Sequence, residues 1–198
     1  MECKGAVVFD LDGTLTRPFL DFDAIRAEIG VAGPILEAIE KMDVPSRRRA
    51  EEILLQWERE AAHRAELHPG APEVLAECHR MGYRTAILTR NSRASVDLVL
   101  RTHGLAVDAL RTREDGAIKP SPEPVLSLCG ELGVDPIRSW VVGDYLFDIQ
   151  SGRAAGTRTV LMIGDSPAPP FALQADFVIR RLGELIDLLT HDTETSTS

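Results

Sequence analysis

The run Ala6-Val7-Val8-Phe9, followed at once by Asp10-Leu11-Asp12-Gly13, constrains this chain more than any other stretch. Four apolar residues without alternation fit a strand covered on both faces, as in the middle of a parallel sheet. Tyr83 to Leu88, Ser139 to Val142 and Thr159 to Ile163 repeat the pattern, and Val107 to Leu110 and Phe177 to Ile179 are further candidates. Helical stretches lie between them. Pro72 suits a first helical turn, with Val74, Leu75, Cys78 and Met81 following before Gly82. Ser92 caps a helix carrying Val96, Val99 and Leu100 up to Gly104. Pro122 opens another with Val125, Leu126 and Cys129 inward and Gly133 beyond its end. This alternation predicts an α/β chain, a parallel sheet between layers of helix.

One region breaks the alternation. From about Pro18 to His68 the pattern is helical throughout: Asp21 to Ile29, Pro34 to Met42, then a long helix with Ala50, Ile53, Leu54, Trp57, Ala61 and Ala65 on one face. A crossover between neighbouring strands is normally much shorter. The domain organisation read from this is a core of residues 1–17 and 69–190, an inserted all-helical cap of 18–68 over the sheet's C-terminal edge, and a disordered Thr/Ser-rich tail of 191–198.

Charge narrows the function classes. With 31 Asp and Glu against 22 Lys and Arg the formal net charge is −9, which repels phosphate backbones, and 5% aromatic content offers few stacking platforms, so no nucleic-acid partner is expected. No apolar run approaches the length of a bilayer span, and the N-terminus has no signal-peptide pattern. Cys3, Cys78 and Cys129 have no metal-ligand spacing and read as inert thiols in a reducing compartment. A cytoplasmic protein, a monomer or weak dimer with no membrane partner, is the expectation.

The chemistry sits at strand ends. Asp10 and Asp12 are two apart on a strand, so they address the same space, and unpaired carboxylates that close repel each other unless a cation joins them. A hard divalent ion such as Mg²⁺ takes oxygen ligands and keeps positions open for phosphate oxygens. Gly13 lets the backbone turn tightly beside a ligand. Val141-Val142-Gly143-Asp144 repeats the strand-then-carboxylate pattern, which brings Asp144 opposite Asp10 if both strands are central. Asp148, four residues on, sits where a helix start favours a carboxylate, with or without a part in the chemistry. Thr89 ends Ala86-Ile87-Leu88 with a hydroxyl able to donate to a phosphoryl oxygen or to cap a turn, and Lys119, before Pro120, can reach inward to an anion or out to solvent.

Asp-Leu-Asp-Gly-Thr, a strand-end Thr, a Lys-Pro and Gly-Asp-x-x-x-Asp, in that order, resemble the haloacid dehalogenase superfamily of hydrolases, with motifs spanning Asp10 to Asp148. The pattern is similar to the phosphoglycolate phosphatase-like branch, which carries a small helical cap between the first two motifs. The resemblance implies a Rossmann-like sheet, a Mg²⁺ cofactor and hydrolysis of a small-molecule phosphate ester through an aspartyl-phosphate. Carried over by position, Asp10 is the nucleophile and Asp12 the general acid and base. Asp10, Asp12 (through its carbonyl), Asp144 and Asp148 form the metal site. Thr89, Arg90, Lys119 and the amides of Leu11 and Asp12 form the phosphate cradle. Asp12 also favours ester hydrolysis over dehalogenation. A phosphomutase or phosphotransferase is the alternative, and a non-catalytic binding protein on the same fold a further one.

Two departures bear on substrate. Thr16-Arg17-Pro18 follows Gly13-Thr14-Leu15 where relatives carry a hydrophobic residue, Asp and a small hydroxyl residue, and Arg90 intervenes between Thr89 and Asn91. Arg17 and Arg90 can read a second anionic group on a substrate or point into solvent. Arg47, Arg48 and Arg49 form the cap's densest basic run, a steering patch or a solvated helix start.

Overall fold

The structure, a computed structural model, describes residues 3–18 and 20–195, and side chains up to residue 191. Six strands, β1 (Gly5–Phe9), β2 (Tyr83–Leu88), β3 (Ala109–Arg111), β4 (Trp140–Gly143), β5 (Arg158–Met162) and β6 (Phe177–Ile179), form one parallel sheet. Their order, β3-β2-β1-β4-β5-β6, is that of a Rossmann-like sheet. The order reverses beside β1, whose neighbours are β2 and β4, and ligands bind beyond the carboxyl ends of strands at such a reversal.

Three helices follow β1: α1 (Phe22–Ile29), α2 (Ile35–Glu40) and α3 (Val44–Arg64). Then α4 (Ala71–Arg80) leads into β2, α5 (Arg93–His103) follows it, α6 (Glu123–Leu132) precedes β4, α7 (Leu146–Ala155) follows β4, and α8 (Glu184–Thr195) ends the described chain. None of these helices is long and apolar enough to cross a membrane.

Each sheet face carries its own apolar layer because side chains alternate along a strand. Val7 and Phe9 join Ile87, Trp140, Val142, Leu185 and Leu189, whereas Ala6 and Val8 join Ala86, Leu88, Val125, Leu128 and Cys129. The insertion has a separate cluster of Ile25, Ile35, Ile39, Ala50 and Leu54. Its entry and exit are joined: the Arg17 amide donates to Glu66 O at 2.8 Å and the His68 amide to Leu15 O at 2.9 Å. The N-terminal half of α3 packs on α1 and α2, and its C-terminal half reaches the core through Ala62.

Several elements differ from expectation. β3 starts at Ala109 rather than Val107, because Asp108 turns in to accept the Thr85 amide at 2.8 Å while its own amide bonds Thr85 O. In α6 the buried face is Val125, Leu128 and Cys129, and Leu126 points out. Ser92 holds the N-cap place of α5, but its hydroxyl donates to Ser95 Oγ instead of receiving a helix amide. The expected disorder from His191 does not hold over residues 191–195, which continue α8. Leu185 and Leu189 anchor that helix, and Thr190 and His191 bond carbonyls one turn back. Residues 196–198 lie outside the described ones. The three cysteines are free, and burial pushes the Cys78 thiol up to about 12, which keeps it protonated and unreactive.

Candidate active site

β1 delivers Asp10 to the point where the strand order reverses. The Asp10 amide donates to Val142 O at 2.8 Å, continuing the β1–β4 ladder and setting the first carboxylate beside the Gly143-Asp144 turn. Lys119 arrives from the far side of β2, after a loop, and is almost fully buried. Its ammonium donates to Asp10 Oδ1, to Leu88 O at 2.8 Å and to Asp148 Oδ1 at 2.6 Å. Asp148, in the first turn of α7, accepts the Tyr145 amide on its other oxygen at 3.0 Å. The helix-start and the site readings of Asp148 therefore hold together, one oxygen each.

Carboxylate oxygens of Asp10, Asp144 and Asp148 lie within 4.8 Å of one another. Two glycines make that approach feasible. A Cβ on Gly13, whose φ is +87°, would lie 2.1 Å from Asp144 Oδ2, and one on Gly143 would lie 2.1 Å from Asp148 Cγ. Three carboxylates face one ammonium, so with all three ionised two negative charges would stand unbalanced in a desolvated place. Burial, and then the charge of Asp148 and Asp12 against the counteracting Lys119, pushes Asp10 up to about 7. Burial and the charges of Asp10 and Asp148 likewise hold Asp144 well above the usual carboxylate range. The Lys119 ammonium is stabilised by its two carboxylates against the opposing effect of burial. An all-oxygen donor set with this charge deficit fits a hard divalent cation such as Mg²⁺.

Asp12 stands on the same side, half-buried. Thr16 Oγ1 donates to its Oδ1 at 3.3 Å, and Asn91 Nδ2 donates to its Oδ2. Burial raises its pKa despite those bonds. Thr89 is buried beyond the end of β2, with its amide on Arg111 O at 3.0 Å and its hydroxyl accepting the Asn91 amide at 3.2 Å. The Leu11 side chain belongs to the core, so what it offers to a ligand is backbone.

Arg90 departs from the expected anion-reading or solvent-facing role. Its Nη2 donates to both oxygens of Glu37 on α2, at 2.8 and 2.7 Å, and its Nη1 donates to Lys119 O. The guanidinium stacks 4.7 Å from the centre of the Phe147 ring. Arg17 lies 3.8 Å from Glu66 and is well exposed. Arg47 caps the end of α2 through Glu40 O and Met42 O, and Arg48 pairs with Glu52 at 3.7 Å on the surface.

Glu58, Arg113 and the contact of Asn91 with Asp12 escaped the sequence reading. Glu58 on α3 is 3% exposed and accepts Arg113 Nη1 and, at 3.2 Å, the Ser92 amide. One signal was available: Glu58 falls in register with Ala50, Leu54 and Ala61, a charge inside an apolar stripe.

Comparison with known proteins agrees with this geometry. A haloacid dehalogenase-like hydrolase family model matches residues 4–156. An N-acetylmuramic acid 6-phosphate phosphatase of Pseudomonas aeruginosa is 31% identical, over 93% of this chain and 94% of its own. A phosphoglycolate phosphatase of Cupriavidus necator is 31% identical over 93% of both. A hydrolase structure from Pseudomonas syringae superposes with a TM-score of 0.79 at 20% identity, covering 96% of this chain and 98% of that one.

Proposed function

The chain belongs to the haloacid dehalogenase-like hydrolases, and from that premise we propose a Mg²⁺-dependent phosphatase that hydrolyses a small-molecule phosphate monoester through an aspartyl-phosphate on Asp10. The observation that carries this reading is the buried cluster of Asp10, Asp144 and Asp148 around Lys119, short of two positive charges. A divalent cation held there would restore neutrality. Asp10, Asp144 and the Asp12 carbonyl would hold the ion, with Asp148 beside them. When bound, it supplies charge stabilisation to the phosphoryl oxygens.

The chain's own groups divide the rest. Lys119 holds one oxygen of Asp10 and so orients the other to attack phosphorus, forming the acyl phosphate as the bond to the leaving oxygen breaks. Asp12 gives that oxygen a proton, a role that its raised pKa favours, and then takes one from the water that hydrolyses the acyl phosphate. Lys119, Thr89 and the amides of Leu11 and Asp12 meet the charge of the transferring group. The helical insertion of 18–68 acts as a cap that excludes water while the acyl phosphate forms. The relatives described above act, by name, on phosphate esters of small molecules, which supports the substrate class.

Phosphate release from para-nitrophenyl phosphate tests the reading, in wild type and Asp10→Asn, with Mg²⁺ and with a chelator. Turnover that needs both Mg²⁺ and Asp10, with a loss of at least about a thousand-fold in the variant, is expected. Turnover that survives in Asp10→Asn or in the chelator contradicts it.

A further inference from the structure

The insertion grips the loop after β2 from two sides. Glu37 on α2 takes the Arg90 side chain, and Glu58 on α3 takes the Ser92 amide and Arg113, which in turn lies 3.3 Å from Arg90 O. That loop carries Thr89 and Asn91, and the second arm of Arg90 ends on the carbonyl of Lys119. The cap is thus tied to the phosphate pocket through one guanidinium. Ile35 and Ile39 anchor α2 in its own apolar cluster, and Glu37 sits between them on the side turned to Arg90.

We propose that Glu37 and Arg90 form a specificity latch, which closes α2 over the phosphate pocket and selects esters with an uncharged leaving group over those whose leaving group carries a carboxylate. The inference rests on the phosphatase reading. Geometry supplies the selection. The guanidinium that would attract a second anion already holds a carboxylate in a bidentate grip, the strongest arrangement open to it. A leaving-group carboxylate must either displace Glu37 or lie beside it, and like charges a few ångströms apart cost at least about fivefold in binding even with the full screening of water. An uncharged, hydroxyl-bearing leaving group meets neither obstacle. The side chains of Arg90 and Glu37 remain 20% and 35% exposed, so the pair can part to admit substrate, unlike the buried pairs of Lys119.

The test uses a matched pair of esters, glycerol 3-phosphate and 3-phosphoglycerate, which differ by a hydroxymethyl in place of a carboxylate. Wild type is expected to favour glycerol 3-phosphate in kcat/KM by about tenfold or more, and Glu37→Gln to lower that ratio about tenfold. A ratio unchanged in Glu37→Gln, or a wild-type preference for 3-phosphoglycerate, overturns the latch. So does inertness to both esters beside hydrolysis of para-nitrophenyl phosphate. Should wild type hydrolyse no ester at all, the phosphatase reading falls and the selection falls with it, and hydrogen exchange then judges only the clamp of Glu37 on Arg90. Faster exchange over residues 35–40 in Glu37→Gln and in Arg90→Lys sustains it, and unchanged exchange overturns it.

Discussion

The carboxylate cluster around Lys119 and the seam between the helical insertion and the sheet are both made of ion pairs, and they differ in charge balance. In the pocket Lys119, Asp10 and Asp148 have side chains 4%, 9% and 3% exposed, and the cluster carries more negative charge than its one ammonium balances. At the seam Arg90 and Glu37 are partly solvated and balance each other one to one. Desolvation makes the first arrangement costly unless a further cation joins it, whereas screening makes the second modest and reversible. The seam itself is graded: its outer pair of Glu37 and Arg90 is partly solvated, whereas its inner pair of Glu58 and Arg113 is as enclosed as the carboxylate cluster.

Breaking the pocket should cost most. Lys119→Met removes the ammonium and leaves the buried Asp10 and Asp148 and the partly buried Asp144 facing each other, which should destabilise the fold by about 3 kcal/mol or more. Thermal denaturation should then show a larger stabilisation by Mg²⁺ than in wild type, since the ion replaces part of the missing charge. Equal Mg²⁺ shifts in the two proteins would mean that the cluster does not hold the ion.

The inner half of the seam comes next. Arg113→Met strands Glu58, already raised by burial against the pull of Arg113, with the Ser92 amide still beside it. A loss of about 2 kcal/mol in urea unfolding is expected, and Glu58→Met combined with Arg113→Met should recover much of it, because two apolar side chains need no desolvated partner. A double variant as weak as the single one would show that the pair serves more than charge compensation.

The smallest effect belongs to surface carboxylates that belong to neither set of ion pairs. Burial pushes Asp108 up, but the Thr85 amide, His79 and Arg84 outweigh it, and its pKa lies below 3.8. Asp115 is likewise lowered, with burial overcome by the amide and hydroxyl of Thr112 and by Arg93. A carboxylate with a depressed folded pKa contributes stability that is present above its unfolded pKa and is lost as pH falls through the folded one. Stability should therefore decline below about pH 4, by under about 1 kcal/mol for each group after solvent screening, and Asp108→Asn should flatten that decline. A variant with an unchanged acid limb would remove Asp108 from the account.

The same contrast explains what was legible in the sequence. Asp10, Asp144 and Thr89 sit at ends of apolar strands, and in a parallel sheet the strand ends meet at one edge, so local pattern sufficed to bring them together. The order of motifs placed Lys119 and Asp148 with them. The insertion was visible as helical periodicity with no strand. The ties that seat it were not. Arg90 and Glu37 are 53 residues apart and Arg113 and Glu58 are 55 apart, so no local pattern joins either pair, and only Glu58, inside its apolar stripe, departs from an ordinary surface charge. Helix α8 was missed for a different reason: its hold rests on Leu185 and Leu189 meeting a core assembled from distant strands, while the Thr-rich end of the chain suggested disorder.

The central claim is that Asp10 carries the phosphoryl group. The most direct measurement is an acid quench of wild type during steady turnover, borohydride reduction of any acyl phosphate, and peptide mapping by mass spectrometry. Conversion of Asp10 to homoserine, absent without substrate and absent in Asp10→Asn, is the predicted result. Continued phosphate release with an unmodified Asp10, or reduction at a different carboxylate, would contradict it.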